Sequence, residues 1–152
     1  MSLPRSSSTE DSATSSWFEQ QATSSTRVVL GSIEFGVALL DIPLVVILGH
    51  DSCGAVAATV NAIGTGILRG GYIRDIVERV TPSVLGARQA GMTTADEIEA
   101  EHVRHTLRLL TERSRLIGDR VASGHLAVVG AVYHLADGRA RIVDSVGLDL
   151  TR

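Results

Sequence analysis

Cysteine is almost missing from this chain: among 152 residues only Cys53 carries a thiol. An intrachain disulfide is thereby excluded, and a lone thiol suits a reducing compartment, so a cytoplasmic setting is expected. Aromatic residues make up 3% of the chain against 44% hydrophobic residues in all, so the core must be aliphatic. No block of Lys or Arg stands out, and the net charge is −3. Neither nucleic acid nor an anionic membrane surface is an expected partner. Long apolar runs are lacking too. The longest, Val37 to Leu48, is broken by Asp41 and Pro43, too short to span a bilayer. The N-terminus holds no apolar h-region, so no secretory signal is expected.

What is present suffices for one domain with a real core. Its organising stretch is Pro43 to Ala58. Leu44 to Leu48 is an uninterrupted, β-branched-rich run that reads as a strand buried on both faces of a parallel sheet. Gly49 ends it, and the small residues from Gly54 onward read as a helix packed closely on that sheet. His50 and Cys53 then occupy the turn from the carboxyl end of a strand to a helix start, where open α/β sheets place ligands. A helix N-terminus also favours the thiolate, the form that binds metal. An imidazole and a thiolate three residues apart are half of a zinc site. On the pair alone, a buried free cysteine beside a hydrogen-bonded histidine is the more frequent arrangement.

In chain order, residues 1–27 form a distinct leader, with 13 of the first 26 residues Ser or Thr and Trp17-Phe18 its one bulky apolar pair. It is expected to be disordered. Residues 28–147 are expected to fold, and 148–152 to be a short tail. Gly31 to Leu40 reads as a helix with Ser32 as N-cap, ended by Asp41-Ile42-Pro43. After Cys53 a helix is expected to about Ile63, then a glycine-rich loop. Tyr72 to Val80 is amphipathic, and Pro82 is expected to interrupt it before a separate turn over Ser83–Gln89. Thr94 to Arg115 is the clearest helix, with Thr94 and Glu97 as a capping box. His102 and His105 on it read as packing residues rather than ligands. Leu126 to Tyr133 is a second buried strand, Asp137-Gly138 a tight turn, and Arg139 to Val146 an alternating edge strand. His125 and His134 flank the second strand with nothing to tie them to His50 and Cys53.

The string Gly-His-Asp-Ser-Cys-Gly-Ala-Val from Gly49 to Val56, after a hydrophobic strand, resembles the zinc-binding segment of β-class carbonic anhydrases. Gly31-Ser32-Ile33-Glu34-Phe35 resembles the helix just before it, and the strand, Asp-Gly-Arg turn and strand at the end are similar as well. The likeness spans about Val28 to Gly147. It implies an α/β fold, a remnant of the β-carbonic anhydrase fold with a parallel central sheet, flanking helices and a C-terminal edge strand. It also implies a zinc protein of the class that interconverts CO2 and bicarbonate, on a metal held by two cysteines and one histidine. Carried over, His50 is the histidine ligand and Cys53 the second cysteine, while Asp51 is expected to cap the following helix.

The family's earlier Cys-x-Asp-x-Arg segment has no counterpart in these 152 residues, since no cysteine precedes Cys53. Three expectations follow. Zinc should be held weakly, at partial occupancy. The strand Leu44–Leu48 should be an unpaired apolar edge. The chain should act as a homo-oligomer, or as a hetero-oligomer with a complete homologue, with independent catalysis doubtful.

Overall fold

The computed structural model describes residues 27–148; all but the last residue of the leader expected over 1–27, and the last four residues of the chain, lie outside them. The chain runs through helix α1 (27–39), strand β1 (Leu44–His50), helices α2 (Gly54–Thr65), α3 (Tyr72–Gln89), α4 (Ala95–Arg113) and α5 (Arg115–Ala122), and strands β2 (Ala127–His134) and β3 (Arg139–Val146). The sheet order is β1-β2-β3. β1 pairs in parallel with β2, from Leu44 opposite Ala127 to His50 opposite Tyr133. β3 returns antiparallel, with a register shift between Gly130 and Ala131. The parallel core and C-terminal edge strand expected from sequence are therefore present.

One face of the sheet is covered. Val45 and Ile47 of β1 and Val128 of β2 pack with Val37 of α1, Leu107 and Leu110 of α4, Ile117 of α5 and Leu126. Ala100 and Val103 of α4 meet Val132 and Val143 beside them. The approach of α4 is close because two strand positions lack a Cβ. One built on Gly49 would lie 2.6 Å from a methyl of Val103, and one on Gly130 2.8 Å from its other methyl. Val103 therefore seats in a notch between the two glycines, and no larger residue fits there without displacing the helix. A separate cluster of Val56, Val80, Val84, Ala87 and Ile98 joins α2, α3 and α4. The core is aliphatic throughout, as the composition required.

The other face is open at β1. Leu44, Val46 and Leu48 remain 48%, 52% and 59% exposed, and β2 is the one strand that β1 pairs with among the described residues. Burial on both faces, expected from the apolar run, is not what the strand has. Every second side chain points where nothing in the described chain covers it, although the unpaired edge itself was expected.

Other boundaries differ for local reasons. α1 extends back to 27, and Ser32 lies inside it, its hydroxyl donating to the Val28 carbonyl at 2.9 Å rather than capping. α3 runs straight through Pro82. The proline removes one backbone donor, but Val77, Val80, Val84 and Ala87 remain on one buried stripe that holds the helix on both sides of it. α4 begins as expected: Thr94 accepts from the Glu97 amide and Glu97 reaches back, a capping box. A break at Ser114 ends α4 just short of the expected Arg115 and starts α5, a separate helix that was not expected. Ser114 caps α5 by accepting from the Ile117 amide at 3.2 Å. It also donates to Glu34 Oε1 at 2.6 Å, tying α1 to the α4–α5 junction.

Candidate metal centre

The turn His50–Cys53 leaves the carboxyl end of β1 and enters α2. His50 closes β1, and its ring lies on the open side of the strand with Leu44, Val46 and Leu48. Its Nδ1 lies 2.9 Å from the Asp51 carbonyl oxygen. A carbonyl only accepts, so Nδ1 carries the proton and donates, which leaves the lone pair on Nε2 for a ligand. Ser52 follows with φ of 56°, a left-handed conformation uncommon for a residue with a side chain. Cys53 is the N-cap of α2, in extended conformation with no side-chain cap, and is half-buried against the cluster that joins α2, α3 and α4.

Asp51 does not cap α2, contrary to expectation. Its amide donates to the Tyr133 carbonyl at 3.0 Å, and its Oδ1 accepts from the Leu135 amide at 3.2 Å. Its Oδ2 lies 3.4 Å from Nδ1 of His134. The parallel register explains this, because His50 opposite Tyr133 sets Asp51 beside the start of the β2–β3 turn. Asp51 is thus a clasp between the motif and the hairpin. It also brings His134 next to the motif, a contact that their distance along the chain hid. His125 stays away: it precedes β2, at the opposite end of the sheet, and its Nδ1 lies 3.0 Å from Ser123 Oγ.

His102 and His105 are not brought to the motif as ligands. Nδ1 of His102 is 2.9 Å from Oγ of Ser83, a serine almost wholly buried between α3 and α4. Burial, and then the nearby His105, lower the tendency of His102 to take up a proton. The contact with Ser83 is the packing role expected of His102.

Sequence reasoning missed Glu99. It lies on α4, 4% exposed, and its Oε1 accepts from the Cys53 amide at 2.8 Å. Its Oε2 is buried without a hydrogen-bond partner among the described residues. In the run Asp96-Glu97-Ile98-Glu99-Ala100-Glu101 it looks like one solvated acid among several. Only its helical phase, one turn before Val103, marks it as facing inward.

The donor chemistry at this turn fits a thiophilic divalent ion in kind, with an available imidazole nitrogen and a thiol at a helix start. It falls short in number. Zinc centres take three or four protein donors, and among the described residues no three His, Cys, Asp or Glu side chains converge to hold an ion.

Comparison with known proteins bears on the family of the chain. The carbonic anhydrase family model matches residues 17–140. Carbonic anhydrase 2 of Mycobacterium tuberculosis is 55% identical over 119 residues, covering 78% of this chain and 58% of that protein. A carbonic anhydrase of Mycolicibacterium smegmatis is 53% identical over 121 residues, 80% of this chain and 59% of that protein. The chain thus spans less than two thirds of the length of these curated relatives. Among solved structures, the β-carbonic anhydrase CafA of Aspergillus fumigatus superposes with a TM-score of 0.62 at 22% identity, over 82% of this chain and 57% of that one. The β-carbonic anhydrase CcaA gives 0.60 at 20%, over 80% and 58%. A family model matching most of the chain, relatives more than 50% identical over that stretch and a shared fold converge on one conclusion: this chain belongs to the β-class carbonic anhydrase family.

Proposed function

We propose that this chain is a β-class carbonic anhydrase-like zinc protein with half of a zinc site, His50 and Cys53, and that it does not hydrate CO2 by itself. The observation that carries this reading is the donor count. One cysteine exists in the 152 residues, and the described side chains offer no third donor at the turn. Two donors hold zinc weakly and leave an ion free to exchange, so the pair alone carries no step of CO2 hydration. The expected partners are CO2 and bicarbonate once the site is completed by a further chain or segment, in a cytoplasmic setting. No described helix is long and apolar enough to cross a membrane.

The test is zinc per chain on protein purified without added metal, beside a Cys53→Ser variant. Well under one zinc per chain, with no CO2 hydration, supports the reading. Near one zinc per chain, lost in the variant and accompanied by activity, refutes it.

A second reading, a non-catalytic subunit that pairs with a complete homologue, is favoured by the open side of β1, where three aliphatic side chains are half-exposed. A complete relative such as the Mycobacterium tuberculosis enzyme, which is 55% identical over the matched region, is the partner to mix in. Native mass spectrometry distinguishes a mixed oligomer from two separate species.

A further inference from the structure

Among the described residues, Glu99 is the one buried carboxylate that the packing does not account for. Its Oε1 has a clear task, because it accepts from the amide of the residue that begins α2. Its Oε2 has none among the described residues, although the side chain is 96% removed from solvent by its 4% exposure. An unpaired carboxylate oxygen at such a position is destabilising, because it has given up water and gained no donor in return. An uncharged side chain at 99 would avoid most of that cost.

Both oxygens belong to one carboxylate, so the unpaired one lies within a carboxylate's width of the atom that bonds the Cys53 amide. The orphan acceptor, the thiol and the start of α2 are therefore one locality. Hydrogen-bonded acidic groups behind the ligands of a metal commonly orient them and raise affinity.

We propose that Glu99 is a positioning residue for a divalent, thiophilic cation at the His50–Cys53 turn. It fixes Cys53 through Oε1 and holds Oε2 ready for a proton-bearing ligand of the ion. The inference rests on the reading of His50 and Cys53 as metal donors. Glu99 acts through an intervening group, not as a third direct ligand, since no three described donors converge. Two other candidates are already engaged: His102 with Ser83, and Asp51 with Leu135 and His134.

The experiment uses the whole chain with Zn2+ alone and Co2+ alone as probes. Two readouts are followed, the ion-induced rise in melting temperature and the thiolate-to-cobalt absorption band. The parent, Cys53→Ser and Glu99→Gln are compared, each also melted in chelator. Glutamine keeps an oxygen for the Cys53 amide and removes the charge. The expected result is that Glu99→Gln melts close to the parent in chelator yet binds either ion about ten- to a hundredfold more weakly, while Cys53→Ser loses the cobalt band. If Glu99→Gln binds as the parent does and Cys53→Ser does not, the metal reading stands and the role of Glu99 falls. A Glu99→Gln variant that melts far lower in chelator but binds with unchanged affinity makes Glu99 a structural cap and overturns the proposal. If the parent shows no response to either ion, both readings fail together.

Discussion

β1 and β2 lie side by side, paired residue for residue over seven positions, and both are runs of aliphatic residues. Alternate residues of β1 are nonetheless half-exposed, whereas Val128 to Val132 are buried without a break. On the face that α4 covers, the gap is small: Val45, Ile47 and Gly49 are half-buried, and Val128, Gly130 and Val132 are buried. On the other face they part: Val129 and Ala131 keep 6% and 5% exposure because side chains of β1 and β3 screen them from either flank. Leu44, Val46 and Leu48 have such a screen on one side only. Apolar character states what a strand needs; the number of its neighbours decides what it has.

The sharpest way to break this comparison is to cut into each side of it. Leu107, 2% exposed beneath β2 and packed with Val128, should cost about 2–5 kcal/mol on truncation to alanine. Leu48→Lys on the open side of β1 should change stability by only about 0.5 kcal/mol or less, while reducing self-association. Chemical denaturation checks the first half, and light scattering at rising concentration the second. A large stability loss in Leu48→Lys would mean that the open face is covered after all.

A smaller effect comes from the shared notch. Gly130→Ala places a methyl where Val103 already sits, 2.8 Å away, and overpacking of this kind costs about 1–3 kcal/mol. Combining it with Val103→Ala should restore much of the loss, because the two changes share one space. A double-mutant cycle with no coupling would place the strain elsewhere.

The smallest expected effect is a pH dependence that belongs to the α3–α4 contact and not to the sheet. Burial first, and His105 second, hold His102 below its ordinary value of 6.5. The unfolded chain therefore takes up this proton at a pH where the folded chain resists it. Stability from this group is complete above about pH 6.5 and declines as pH falls below that value. Melting temperatures between pH 7.5 and pH 5.5 should drop less in His102→Asn than in the parent. Equal slopes would remove His102 from the account.

Much of the fold was legible because it depends on local signals. The Thr94–Glu97 capping box, the Asp137-Gly138 turn and the apolar runs of β1 and β2 each act over a few residues, and each stands where expected. What escaped depends on distant partners. Pro82 reads as a break until the buried stripe on both sides of it is seen to hold α3 together. Ser114 reads as one more polar residue in a long helix until Glu34, 80 positions earlier, is found bonded to it. At the candidate site the division is the same. His50 and Cys53 are visible in one short string, whereas Asp51, His134 and Glu99 take their places from the parallel register and from the phase of α4.

The Asp51 clasp has a consequence for how disturbance travels. The turn that bears both donor residues is latched to Leu135 and His134, at the tip of a hairpin formed some eighty residues later in the chain. A lever fixed at that point transmits force without touching either donor. A bulky label or a proteolytic nick in the 135–138 turn is therefore felt at His50 and Cys53, and the hairpin serves the site as a remote handle.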